Sequence, residues 1–300
     1  MADRAPDVER RWRFREGDEI GPGRYAFKHL GGGHRFEAYL AWDDDLHALV
    51  VAKIVRPHLV EDQRVLRDLA VEAGHLMTLN HPVIVRGFDA VLDGPRPHLL
   101  MEHLEGPHLS RLLRKFGALG PEQLLPLALQ LCSALHYLHG RRLVHLDVKP
   151  RNIIMGAPPR LIDLSIMRTF DQAAALRGPV GTDPYMAPEQ CDPARGTVGP
   201  EADVFGLAAT LYHAITGHRP YPRPKDYDED DPEQRFPQLV KDPARFGEKI
   251  SSELEEVVFR RLDRDPAIRG TAAELALDLE PFVAALPTRP VLGKLRPRLR

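Results

Sequence analysis

The spacing of apolar residues along this chain shifts near Gly106 from mostly alternating to helical, and that shift limits the folds open to it. Ahead of it, apolar residues alternate in short runs, residues 25–30, 37–42 and 48–55, with Gly31-Gly32-Gly33 between the first two. Period-two alternation marks half-buried strands, and short glycine connections make neighbouring strands antiparallel. Residues 61–79 break the alternation. Val65, Leu66, Leu69, Leu76 and Leu79 recur there at intervals near three and four, which predicts one helix ended by Asn80-His81-Pro82. Strand character returns over 84–92 and 97–102, around an Asp93-Gly94-Pro95 turn. Beyond Gly106 the period is helical over 109–116, 121–139, 202–216, 252–262 and 271–286, with a proline-broken, acid-rich loop at 220–235. The chain therefore reads as α+β, a small antiparallel sheet with one main helix followed by a larger helical part.

Its 300 residues suffice to bury about three quarters of the unfolded surface, so two ordinary domains or one large domain in two parts are both open. Basic and acidic side chains number 41 and 43, a net charge of −2 that argues against a nucleic-acid binder. Cys132 and Cys191 are the only cysteines, too few for a disulfide framework or a cysteine-built zinc site, and suited to a reducing cytoplasm. No run approaches the roughly 18 apolar residues of a membrane helix. Residues 1–19 form a polar arm, expected to be solvated, unlike a signal peptide. At the other end, 287–300 is a basic tail carrying Lys294, Arg296, Arg298 and Arg300.

Lys53 is the first chemical anomaly, because it sits in the otherwise apolar run Leu49-Val50-Val51-Ala52-Lys53-Ile54-Val55. An unpaired ammonium buried there would lose its proton or cost several kcal/mol, so it needs an anion. Glu72, flanked by Val71 and Ala73 on the predicted helix, is one candidate and a phosphate is a second; a snorkelling edge-strand lysine is the bland alternative. The second anomaly is His145-Leu146-Asp147-Val148-Lys149-Pro150-Arg151-Asn152, a polar run between Leu143-Val144 and Ile153-Ile154. A hairpin centred near Ala157-Pro158 would set Asn152 opposite Asp163, aiming two oxygen ligands at one point. A few oxygen ligands, with room for water and phosphate oxygens, suit magnesium bound with a nucleotide. Asp147 could receive a proton from a substrate hydroxyl. Hydrogen-bonded turn residues would explain either segment taken alone.

In this order the motifs resemble the eukaryotic-type protein kinase family, nearest to its bacterial Ser/Thr members, over residues 20–285. Residues 30–38 are similar to its glycine-rich loop, Lys53 to its third-strand lysine and Glu72 to its helix glutamate. The run from His145 to Asn152 resembles its catalytic loop, Asp163-Leu164-Ser165 its metal-binding triplet, and residues 181–189 the end of its activation segment. Asp203 and Arg269 match structural anchors, with Arg269 expected to pair with Glu189. The resemblance implies a bilobal fold, an N-lobe over 20–104 and a C-lobe over 105–286, with ATP bound between them. It implies a non-specific serine/threonine protein kinase acting on protein hydroxyls. Lys53, Glu72, Asp147 and Lys149 would be catalytic, and Asn152 and Asp163 would hold Mg2+, or Mn2+. Leu30, Gly31, Gly32, Gly33, Ala38, Val51, Met101, Glu102, Leu104 and Ile154 would surround the nucleotide.

Several positions depart from the family pattern. Phe36 stands where the loop's third glycine is usual, and Ser165 replaces the triplet's glycine. Ala38 and Val51 exchange the usual valine and alanine, which conserves the volume roofing the adenine. Leu146 replaces the arginine that receives a phosphorylated activation segment. Between Asp163 and Glu189 the hydroxyls are Ser165, Thr169, Thr182 and Tyr185, with none in Arg177-Gly178-Pro179-Val180, where a phosphosite is expected. Missing receiver and missing donor agree, so activity independent of activation-segment phosphorylation is expected. The alternative is a pseudokinase, a nucleotide-binding scaffold or signalling platform. A small-molecule phosphotransferase would share His-x-Asp and Asn but would not call for 181–189 or Arg269. The catalytic fold leaves little of this sequence for a sensor or anchor, so input is expected from a regulatory partner or from the tails.

Overall fold

The computed structural model describes residues 11–247 and 250–287. The start of the polar arm, and Lys294, Arg296, Arg298 and Arg300 of the basic tail, lie outside the described residues. The chain divides into two compact units: one runs to Ser110 and also takes in Pro150–Arg168, and the other comprises Arg111–Lys149 and the chain from Thr169 onward. Residues 150–168 thus fold with the strand-rich unit, although helices flank them in sequence.

The strand-rich unit is built on a six-stranded sheet of β1 (Glu19–Gly21), β2 (Arg24–Gly32), β3 (Phe36–Asp43), β4 (Ala48–Val55), β5 (Gly87–Val91) and β6 (His98–Glu102). Their order is β1-β2-β3-β4-β6-β5 and every pairing is antiparallel. The single helix, α1 (Gln63–Thr78), starts where Asp62 accepts hydrogen bonds from the Arg64 and Val65 amides, satisfying donors that the first turn leaves open. It buries Val65, Leu69, Glu72, Ala73 and Leu76. The strand expected from residue 84 begins only at Gly87, because Ile84 makes a bridge to Leu161 instead. A two-stranded hairpin, β7 (Ile153–Ile154) and β8 (Arg160–Leu161), completes this unit.

The expectation of a solvated arm is corrected by Trp12 and Phe14. Their rings stack at 5.5 Å and pack on the core formed by Ile20, Ala26, Tyr39, Ala41, Val50, Ala52, Ile54 and Leu100. Trp12 Nε1 donates to the Val55 carbonyl at 2.8 Å and its amide donates to Glu37 at 3.0 Å. The Arg96 guanidinium lies 5.7 and 5.2 Å from the two ring centroids. The physical reason lies in β4, which is apolar on both faces: Lys53 points to the face where α1 supplies Glu72, and the alternate residues Val50, Ala52 and Ile54 need another cover.

The helical unit contains all but the first two residues of α2 (Leu109–Phe116), together with α3 (Pro121–His139), α4 (Pro200–Thr216), α5 (Ser252–Arg261) and α6 (Ala272–Ala284). Proline opens α3 and α4, where its missing N–H leaves no bond unmade. Gly217 ends α4 at φ 74°, a left-handed cap suited to glycine. α4 is buried nearly all round and packs on α3 and α5. The acid-rich loop holds one short helix, Pro232–Arg235, capped by Asp231. Trp12→Ala should lower unfolding free energy by ~1–3 kcal/mol, less than a fully buried tryptophan would, measured by denaturant unfolding; an unchanged midpoint would show that the strap adds nothing.

Candidate active site

In the strand-rich unit the cross-strand register places Gly31, Ala38 and Lys53 in one row, and Val51 opposite Met101 in the next. Lys53 Nζ lies 2.8 and 2.7 Å from the two carboxylate oxygens of Glu72 and 3.3 Å from Asp163 Oδ1. Burial alone would lower the Lys53 pKa, but Glu72 and Asp163 outweigh it and the net direction is up, so the ammonium stays charged. Burial, with the like charge of Asp163, pushes the Glu72 carboxyl up against the opposing pull of Lys53. The Phe36 ring centroid is 5.0 Å from Lys53 Nζ, a cation–π distance. Phe36 therefore packs on the lysine, which sequence reading did not anticipate.

The glycine-rich turn is held through its backbone. Gly33 N donates to the Phe36 carbonyl at 3.0 Å, and Arg56 Nε donates to the Gly33 carbonyl at 2.6 Å. Gly31 has φ 137°, and a Cβ on Gly32 would run into the Phe36 carbonyl. Leu30 is exposed, whereas Ala38, Val51, Met101, Glu102 and Leu104 are half-buried and Ile154 is buried. All of them belong to this one unit.

The hairpin turn is centred at Ala157, but its register differs from the expectation by one residue. Ile153 faces Leu161 and the Ile162 amide donates to the Asn152 carbonyl at 2.9 Å, so Asn152 faces Ile162, and Asp163 lies one position beyond. Asp163 has φ 65°. It presents a carboxylate 40% exposed at the same hairpin end as the buried Asn152 amide. One carboxylate and one amide are a hard-oxygen set too small to complete a shell alone, which fits a magnesium ion that keeps water and phosphate ligands. No cluster of three or more His, Cys, Asp or Glu suited to a metal occurs among the described residues.

The helical unit holds the other group. Asp203 on α4 accepts the His145 amide at 2.8 Å and the Leu146 amide at 2.7 Å, with His139 Nε2 at 2.9 Å. These bonds hold Leu146 at φ 64°, unusual for a branched side chain. Asp147 Oδ2 is 2.5 Å from Lys149 Nζ, while Thr182 Oγ1 donates to Asp147 Oδ1 at 2.6 Å and accepts from Lys149 Nζ at 2.5 Å. Arg269 forks onto Glu189 at 2.6 and 2.8 Å, and its other donors reach the carbonyls of Asp263, Glu201 and Arg264. The expected Arg269–Glu189 pair is therefore present and fully buried.

With this geometry in place, the comparisons are decisive. A family model described as the protein kinase domain matches residues 25–278. The chain belongs to the protein kinase family. It is 32% identical over 265 residues to serine/threonine-protein kinase PknB of Mycobacterium leprae, covering 83% of this chain and 41% of that protein. Identity to PknB of Mycobacterium tuberculosis H37Rv is also 32%, over 269 residues, with the same coverage. A probable serine/threonine-protein kinase of Streptomyces coelicolor is 31% identical over 281 residues, 87% of this chain and 40% of that protein. The chain thus spans about 41% of the length of the first of these relatives. The α+β kinase fold accounts for the strand-rich and helical units, and no helix among the described residues is long and apolar enough to cross a membrane.

Sequence reading missed the aromatic strap, although two aromatics in a polar arm signalled it. It also missed two buried amides that no pattern marks: Gln190, which donates to the Leu146 and Val180 carbonyls, and Gln238, which donates to those of Asp183 and Met186. Two tests follow from the helical unit. Arg269→Met should destabilise by about 3–5 kcal/mol, because it strands the buried Glu189 carboxylate; calorimetric melting checks this. His213 lies 2.7 Å from the Tyr185 hydroxyl, and burial, followed by Arg219 and His218, pulls its pKa down to about 4. The unfolded imidazole titrates near 6.5, so its contribution to stability is present above that pH and is lost as pH falls toward 4. Denaturant unfolding at several pH values should show His213→Asn flattening this slope; an unchanged slope would assign it elsewhere.

Proposed function

We propose that this chain is a serine/threonine protein kinase that transfers the γ-phosphoryl group of ATP to a protein hydroxyl with Mg2+, Mn2+ being an alternative. The observation that carries the reading is the Lys53–Glu72–Asp163 cluster, together with the Asp147–Lys149–Thr182 triad. Lys53, kept protonated by two carboxylates, binds the α- and β-phosphates. The adenine meets Leu30, Ala38, Val51, Met101, Glu102, Leu104 and Ile154, and the turn of Gly31, Gly32 and Gly33 covers the phosphates. Asn152 and Asp163 hold the metal, whose charge offsets that of the phosphates when it is bound. Asp147 accepts the hydroxyl proton as the oxygen–phosphorus bond forms and the bond to the β-phosphate oxygen breaks, releasing ADP. Lys149 neutralises charge on the group in transit. A cytoplasmic location, a protein substrate and a regulatory partner belong to the same reading.

The reading includes independence from activation-segment phosphorylation. Leu146, in place of the receiving arginine, is 3% exposed and carries no charge. Thr182 is engaged by Asp147 and Lys149, Tyr185 pairs with His213, and Thr169 caps a short helix by accepting the Gln172 amide. The pseudokinase reading draws on one observation, the Phe36 ring beside the lysine that must meet phosphate.

Radiolabelled transfer with Mg2+ or Mn2+ distinguishes the two. Wild-type transfer should fall by ~10²–10⁴-fold in Asp147→Asn, the range for loss of a general base, and comparably in Lys53→Met. Phosphatase treatment should leave the wild-type rate unchanged. ATP binding without transfer would establish the pseudokinase, and a large rate loss on dephosphorylation, traced to residues 163–189, would remove the claim of independence.

A further inference from the structure

Two connections tie residues 180–191 to the loop at 145–149. One is the Thr182 hydroxyl at Asp147 and Lys149. The other is the side-chain amide of Gln190, 1% exposed. Gln190 Nε2 donates to the Leu146 carbonyl at 2.9 Å and to the Val180 carbonyl at 2.8 Å, while its Oε1 accepts the Ala187 amide at 3.1 Å. Both amide hydrogens are used, and no water is needed to complete them.

The contact on Leu146 is the informative one. Its amide is already fixed by Asp203 at 2.7 Å, so Gln190 clamps the same residue at its carbonyl. Leu146 immediately precedes Asp147, and a shift at its carbonyl would rotate the peptide that carries the Asp147 side chain. At the other end of the contact, Gly181 has φ 136°, and a Cβ there would lie 2.7 Å from Met186 Cγ and 3.0 Å from the Leu146 carbonyl. Only glycine lets residues 180–182 approach so closely. A second buried amide, Gln238, donates to the Asp183 carbonyl at 2.7 Å and the Met186 carbonyl at 3.0 Å. Arg223 and Arg235 hold the Asp183 carboxylate at 3.0 and 3.3 Å. The chain is thus fixed on both sides of Thr182, by the neutral amides of Gln190 and Gln238 and, at Asp183, by two arginines as well.

We propose that Gln190 is a positioning residue that holds the activation segment on the catalytic loop permanently, serving with a neutral amide where a phosphate would act through an arginine. The proposal rests on the phosphotransfer reading above. It assigns the independence from phosphorylation to one side chain, where the absence of Leu146 charge and of nearby hydroxyls only makes room for it. The amide recognises two carbonyl oxygens, so the contact needs a donor and cannot be made by a carboxylate or by an apolar side chain of the same length.

Gln190→Met and Gln190→Glu, each of similar size, remove that donor. Both variants should keep the wild-type KM for ATP, raise KM for a peptide substrate and lower kcat on the order of 10²-fold, the penalty for a misplaced reacting group. A merely structural role would lower the melting temperature without dividing the effect between kcat and the two KM values. Hydrogen exchange should show residues 180–191 of the phosphatase-treated wild type protected like α3, and exposed in the variants while α3 is unchanged. Wild-type kcat and peptide KM in both variants would overturn the proposal. If both variants fail to fold, the wild-type exchange decides: rapid exchange over 180–191 in the dephosphorylated protein also overturns it. Absence of transfer by the wild type would remove the phosphotransfer reading itself, an outcome separate from either of these.

Discussion

A charge taken out of water must meet its opposite, or a set of hydrogen bonds, within a few ångströms, and that requirement organises both units of this chain. Lys53 lies on a strand with no other polar residue between Leu49 and Val55. Its ammonium stays charged there because α1 brings Glu72, 1% exposed, to 2.7 Å and Asp163 lies 3.3 Å away. The strand and the helix are thereby held to one relative placement, and Asp163 is drawn to the same ammonium from the end of the hairpin. In the helical unit the Asp203 carboxylate does comparable work with backbone amides, holding Leu146 at a φ it would not choose. Arg269 does it with Glu189 and three carbonyls.

These buried ions differ in what they leave open. Arg269 and Glu189 are sealed, and every guanidinium nitrogen has a partner, so their role ends with placement of the segment that carries Glu189. Lys53 and Asp163 are not sealed in this way: Asp163 is 40% exposed, and the Phe36 ring is the further cover on the lysine. Asp147 and Lys149 retain 11% and 14% exposure. The Arg269–Glu189 pair is therefore closed, whereas Lys53, Asp147, Lys149 and Asp163 keep some access to solvent; Glu72 and Asn152, assigned to the same chemistry, are buried behind them.

Much of this was legible before any coordinates. The period change near Gly106 separated strands from helices, and the main helices fall within a few residues of the expected spans. Electrostatics demanded an anion for Lys53 and made Glu72 a candidate, and the family resemblance singled Glu72 out. The hairpin turn was placed correctly, but its register was one residue off, since pairing depends on where the ladder begins and no side-chain pattern of two-residue strands specifies that. The strap of Trp12 and Phe14 was read as solvent-exposed because its neighbours are charged; the apolar face it covers belongs to strands that follow it by tens of residues. Gln190 lies in a run whose composition gives no sign of its two carbonyl acceptors, 10 and 44 residues away.

Local rules carry the period of each element and the demand of a misplaced charge for a partner, and these can be read from residue order. Which distant backbone groups are satisfied by which side chains is settled by packing of the folded chain. Neutral amides and aromatic rings accept many neighbours at similar energy, so their partners are chosen by packing. A buried lysine has few acceptable partners, and for that reason Glu72 stood among very few candidates in the sequence.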